Sequence, residues 1–207
     1  LSFSSSSCST SSRGSSYSSR SSSPPPLYVH RSPAPFGRLS CAKFSLSALA
    51  TCGPEEAIEM IEKTLTLTDQ PFGINFHMFQ PGADQIVATV IKHSIKAVSY
   101  SRSPVAEYIQ EFKKHGVICM PTVGALKHAI KAEELGADAL VIQGSEGGGH
   151  TGSTPTTLLL SSVLQKVNIP VIAAGGFRDG SGLAAALAWG ADGIAMGTRF
   201  MMTQESP

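Results

Sequence analysis

The sequence predicts an α/β protein built as an incomplete (β/α)8 TIM barrel, with about six strand–helix units present. Three observations carry that prediction. Short apolar runs begin near residues 72, 97, 117, 139, 171 and 193, at spacings of 20 to 32 residues, with amphipathic segments between them. Such alternation implies a parallel sheet covered by helices. A unit also repeats: Leu135-Gly136-Ala137-Asp138-Ala139-Leu140 returns as Trp189-Gly190-Ala191-Asp192-Gly193-Ile194. Finally, glycine turns follow three successive strands, at the ends where barrel enzymes assemble their sites.

The elements follow in order from Thr51. Gly53-Pro54 opens a helix with Ile58, Ile61 and Leu65 on one face. Pro71–Phe76 reads as a strand, Ala97–Tyr100 as the next, and Ser103-Pro104 as the start of a helix carrying Val105, Ile109 and Phe112. Gly116 ends that helix, Val117–Met120 forms a third strand, and a helix from about 124 to 135 stops at Gly136. A helix near 156–167 precedes the strand Val171–Ala174. A doubly wound sheet also satisfies this alternation. The GxGxxG fingerprint it would carry is absent from Gly147-Gly148-Gly149-His150-Thr151-Gly152, and the glycine turns favour the barrel. A whole barrel takes roughly 250 residues, so the 207 residues here, opening on Leu1, are expected to be a fragment.

Residues 1–50 form a low-complexity Ser/Pro-rich segment, and residues 51–207 the partial barrel. Up to Pro54 there is no Asp or Glu, while Arg13, Arg20, Arg31, Arg38 and Lys43 supply positive charge. So little apolar surface cannot offset the entropy of ordering, so disorder is expected. The same composition suits an organelle transit peptide, or equally an upstream linker. Location is therefore cytoplasmic, or mitochondrial or plastid if that segment is a transit peptide. A net charge of +1 leaves no electrostatic footprint for nucleic acid, and no apolar run is long enough for a membrane span. Cys8, Cys41, Cys52 and Cys119 lack CxxC spacing, which argues against zinc or a disulfide framework.

The chemistry concentrates at strand ends. Gln143-Gly144-Ser145-Glu146-Gly147-Gly148-Gly149-His150 follows the run Ala139–Ile142. Its glycines let backbone approach a ligand closely, and His150 can act as acid, base or donor near neutral pH. Glu146 is the nearby carboxylate, either orienting the imidazole or solvated on the loop. Gly175-Gly176 after one strand and Gly197-Thr198 after the next suit a phosphate cradle of backbone amides, which Arg199 could assist. His77 is noted for its place just past a strand end.

These residues also carry a resemblance. From Pro71 to Pro207 the chain resembles the nitronate monooxygenases, formerly 2-nitropropane dioxygenases. The motifs are Gly136-Ala137-Asp138, the Gln143–Gly152 loop, Pro170-Val171-Ile172-Ala173-Ala174-Gly175-Gly176-Phe177, Asp179-Gly180 and Met196-Gly197-Thr198-Arg199-Phe200. The resemblance implies an FMN-bound barrel oxidising alkyl nitronates with O2 to a carbonyl compound and nitrite. It makes His150 the general base and sets Gln143 and Gly148 along the flavin. Ala174, Gly175, Gly176, Gly197 and Thr198 become the FMN phosphate cradle, with Asn75 a weaker flavin-side candidate. The family's opening Ala-Pro-Met strand and glycine-rich second strand are not legible here, and Thr122 stands where some members carry a flavin-contacting lysine. FMN-dependent enoyl-ACP reductases share much of this signature, so an NAD(P)H-dependent activity stays open, as does a non-catalytic fragment. The expected partners are a small nitronate or nitroalkane and O2, with a homodimer left open.

Overall fold

The computed structural model describes residues 44–49, 52–101, 104–149 and 151–204. The rest of the serine-rich segment, and His150, lie outside the described residues. In chain order the elements are β1 (Ser45–Ala48), α1 (Pro54–Leu67), β2 (Phe72–Phe76), α2 (Ala83–Lys92) and β3 (Ala97–Tyr100). Then come α3 (Ala106–Lys114), β4 (Ile118–Cys119), β5 (Thr122–Val123), α4 (Leu126–Glu134) and β6 (Leu140–Gln143). The last are α5 (Thr156–Leu164), β7 (Val171–Ala174), α6 (Gly180–Ala188), β8 (Gly193–Ala195) and α7 (Thr198–Met201).

Every neighbouring pair is parallel, in the orders β1-β2-β3-β4 and β5-β6-β7-β8. The two sets are joined. β4 and β5 are one extended run divided at Met120-Pro121, where proline has no N–H to give a ladder. The Pro121 carbonyl still accepts from Val141 N at 2.9 Å, and a bridge pairs Ser101 with Thr122. Eight strands with two sharing one position give seven positions in a continuous parallel array, an incomplete (β/α)8 barrel.

The seventh position is β1, which falls inside the segment expected to be low-complexity. Phe44-Ser45-Leu46-Ser47 alternates with period two, a signal hidden when composition is averaged over fifty residues. Its packing explains the strand: a side chain on Gly73 would meet Leu46 Cδ2 at 2.7 Å, Phe44 Cε1 at 3.0 Å and Ala97 O at 2.6 Å. Leu49 is fully buried beside it. A second difference concerns α3, whose first turn is preceded by Val105 with no side-chain cap; Ser103 lies outside the described residues.

Helices cover the outer face in two apolar clusters. One joins Ile61, Ile86, Ile109 and Phe112 of the helices to Ile74, Phe76, Val98 and Tyr100 of the strands. The other joins Ala129, Leu159, Leu160 and Val163 to Leu140, Ile142, Val171 and Ala173. Facing inward are Ala97, Met120, Ala139, Val141 and Ala174, drawn from strands as far apart as β3 and β7, so the sheet curves around them. Both copies of the Ala-Asp repeat do the same work. Asp138 Oδ2 accepts from Cys119 N at 2.8 Å, and Asp192 Oδ2 accepts from Val171 N at 2.8 Å. Each thereby pins the start of the neighbouring strand, at the end opposite the glycine turns. Among the described residues no helix is long and apolar enough to cross a membrane.

Candidate active site

Three strand ends meet at one mouth. β6 ends at Gln143, whose Nε2 donates to Gly148 O at 2.6 Å and braces the loop from beneath. The glycines are needed for close approach: a side chain on Gly144 would collide with Thr156 backbone, and one on Gly147 would meet Gln143 Cγ at 2.6 Å. Further along, a side chain on Gly152 would meet Gly124 O at 2.6 Å, which sets the far limb of the loop against the end of β5. Gly148 behaves differently, because a Cβ there meets nothing within 4 Å. The expected base, His150, lies between described segments but outside the described residues.

Glu146 is exposed on the loop, as one of the two readings has it, and also anchors that loop. Its Oε2 accepts from Thr156 N at 2.9 Å and from Thr156 Oγ1 at 2.8 Å, at the first turn of α5. Hydrogen bonds from its own backbone N–H and the Thr156 amide hold its carboxyl below the usual carboxylate range. The residue is exposed and ties loop to helix. Thr156, only 2% exposed, was not singled out from sequence; a threonine opening a helix is the signal that could have found it.

Two turns lie beside this loop. Gly144 N donates to Ala174 O at 3.3 Å, and Ala174 pairs with Ala195 in the ladder, so the ends of β6, β7 and β8 are consecutive. Gly175 and Gly176 have φ of 99° and 80°, left-handed backbone that other residues resist. The amides of Gly176, Gly197, Thr198 and Arg199 donate to no acceptor among the described residues. A Cβ on Gly197 also meets nothing within 4 Å. The sequence-selected Ala174, Gly175, Gly176, Gly197 and Thr198 thus lie at the ends of the adjacent strands β7 and β8, with amides that have no acceptor among the described residues and open space at Gly197, a setting that fits a phosphate group. Beside them, an open groove of about 520 Å³ is lined by Phe177, Arg178, Thr198, Arg199 and Met202. α6 is capped separately: Asp179 Oδ1 accepts from Ser181 N at 3.1 Å and Gly182 N at 3.3 Å. The Ser181 hydroxyl, followed by the Gly182 amide and Arg178, lowers the Asp179 carboxyl to about 2.

Asn75 stands apart from these residues, on β2. Its Nδ2 donates to Ser99 Oγ at 3.3 Å, and Ser99 Oγ lies 3.1 Å from Thr122 Oγ1. Above that row His77 Nδ1 lies 3.1 Å from Ser101 Oγ, its ring stacked on Phe79 at 5.4 Å. The inward face therefore carries a polar row on β2, β3 and β5, while on β6 to β8 it is mostly apolar, with Val141, Ile172, Ala174 and Ala195 below Gln143. Ser99 and Ser101 escaped the sequence reading because their role appears only when three strands are placed side by side.

Comparison with known proteins adds to this geometry. The family model described as nitronate monooxygenase matches residues 79–207. A Rhodococcus jostii protein named (3aS,4S,5R,7aS)-5-hydroxy-7a-methyl-1-oxo-octahydro-1H-indene-4-carboxyl-CoA dehydrogenase is 50% identical over 82% of this chain and 48% of its own length. FabK from Thermotoga maritima superposes with a TM-score of 0.73 at 39% identity, covering 77% of this chain and 51% of that one. A nitroalkane oxidase from Streptomyces ansochromogenes gives a TM-score of 0.72 at 28% identity, over 78% of this chain and 59% of that one. The chain spans about half the length of the curated relatives it matches.

Proposed function

The chain belongs to the nitronate monooxygenase family, and from that membership we propose that it carries the phosphate-holding side of an FMN-dependent oxidoreductase acting on acidic carbon. The observation that carries this reading is the run of amides at the ends of β7 and β8 that have no acceptor among the described residues, with open space at Gly197. Gly175, Gly176, Gly197 and Thr198 would hold the phosphate, with Gln143, Gly148 and Asn75 along the ring system. Bound FMN would supply a two-electron acceptor, chemistry no side chain offers. The rest falls to the chain itself. His150 removes the proton from the carbon next to an electron-withdrawing group, its imidazole being suited to that near neutral pH. The glycines beside it leave room for substrate, and the Gln143–Gly148 hydrogen bond keeps the loop from collapsing into that room.

The withdrawing group is a nitro group on the family reading, so His150 takes the proton of a nitroalkane and the resulting alkyl nitronate reacts with O2 to give a carbonyl compound and nitrite. A second reading is favoured by one observation: the relative named for a carboxyl-CoA substrate is 50% identical, against 28% for the nitroalkane oxidase. On that reading the acidic carbon lies next to a thioester carbonyl. Both need the same base. Purified protein loaded with FMN separates them. Oxygen uptake on a neutral nitroalkane such as nitroethane supports the first, and anaerobic bleaching of the flavin absorbance by an acyl-CoA supports the second. His150→Ala is expected to lower turnover at least about 100-fold while FMN stays bound. Full turnover in that variant would remove His150 from the mechanism, and no response to either substrate would overturn the oxidoreductase reading.

A further inference from the structure

Thr156 sits between the ends of β6 and β7. Its Oγ1 lies 2.8 Å from Glu146 Oε2, 3.2 Å from Gly175 O and 3.3 Å from Ala174 O. All three neighbours are acceptors and the hydroxyl has one proton, so it makes a shared hydrogen bond, shortest to the loop carboxylate and longer to the carbonyls of the turn. Space around it is filled: a Cβ on Gly175 would meet Thr156 Oγ1 at 2.9 Å and Gly147 N at 3.0 Å. The Gly175 carbonyl and the Gly176 N–H belong to one planar trans peptide, and the two groups point in opposite directions. Holding the carbonyl toward α5 therefore aims the Gly176 N–H away from it, toward the mouth, where it has no protein acceptor among the described residues.

We propose that Thr156 is a positioning residue that fixes the Gly175–Gly176 peptide plane, aiming the Gly176 amide at the phosphate of the bound cofactor while locking the Glu146 loop to the same turn. This rests on the FMN reading and adds to it a residue that touches neither cofactor nor substrate. The loop and the phosphate turn then move as one piece, since both are tied to a single hydroxyl.

The test compares FMN with riboflavin, which has the same ring system and no phosphate, by quenching of flavin fluorescence. The wild type is expected to bind FMN far more tightly than riboflavin. Thr156→Val keeps the volume and removes the hydroxyl. It is expected to weaken FMN at least about tenfold, the size of one charge-assisted hydrogen bond, and to leave riboflavin unchanged. Thr156→Ser restores the preference. A general loosening of the fold would weaken both ligands alike and overturn the proposal, as would an unchanged preference in Thr156→Val. If the valine variant does not fold, Thr156→Ala is read by the same ratio. Wild-type protein that binds riboflavin but does not prefer FMN removes the phosphate cradle itself. Wild-type protein that binds neither removes the FMN reading, and this proposal with it.

Discussion

Asp179 offers a residue-scale check that is independent of any ligand. Its carboxylate caps α6 through Ser181 and Gly182, and those bonds lower its pKa from 3.8 to about 2. A carboxyl with a lowered folded-state pKa stabilises the fold above its unfolded value, and that contribution is lost as pH falls through the folded one. The melting temperature of Asp179→Ala should therefore lie below wild type above about pH 4, with the gap closing toward about pH 2. A gap that stays constant across that range would show that the cap is not what the residue contributes. At the same scale, Glu146 and Thr156 show why the site was only partly legible in sequence. Gln143, Gly148 and the Gly175-Gly176 and Gly197-Thr198 turns are local motifs, and each sits in the structure where its spacing put it. The Glu146–Thr156 contact spans a loop of ten residues, and only a closed loop reveals it.

At the scale of elements, the repeat read from sequence turns out to be a structural device. Asp138 and Asp192 accept the amides of Cys119 and Val171, and their own amides donate back to the same residues' carbonyls at 2.9 and 2.8 Å. Replacing either by alanine leaves a strand-start amide without its partner and should cost about 1–3 kcal/mol in urea unfolding. Because both lie at the end opposite the glycine turns, FMN affinity should hold in variants that still fold. Loss of affinity without loss of stability would contradict that division. Helix and strand order was legible because apolar periodicity is local. β1 was not, because its four residues are embedded in serine, and neither was β5, because the apolar run Val117–Met120 ends before Pro121 and the two residues Thr122–Val123 carry no pattern of their own.

At the scale of the molecule, seven parallel strand positions bring the ends of β6, β7 and β8 into one mouth, with the polar row of β2, β3 and β5 on the same inward face. On the proposed function, anion binding falls to the glycine turns and side-chain hydrogen bonding to the row on β2, β3 and β5. Gly197 allows the assignment to be tested without disturbing the fold. Its φ of −100° is open to other residues, and a side chain there meets nothing within 4 Å. Fluorescence titration of wild type and Gly197→Asp with FMN is thus the most direct measurement. The account predicts saturable binding by the wild type and, in a variant of nearly unchanged melting temperature, affinity at least about tenfold weaker. Equal affinity in the two proteins would contradict it.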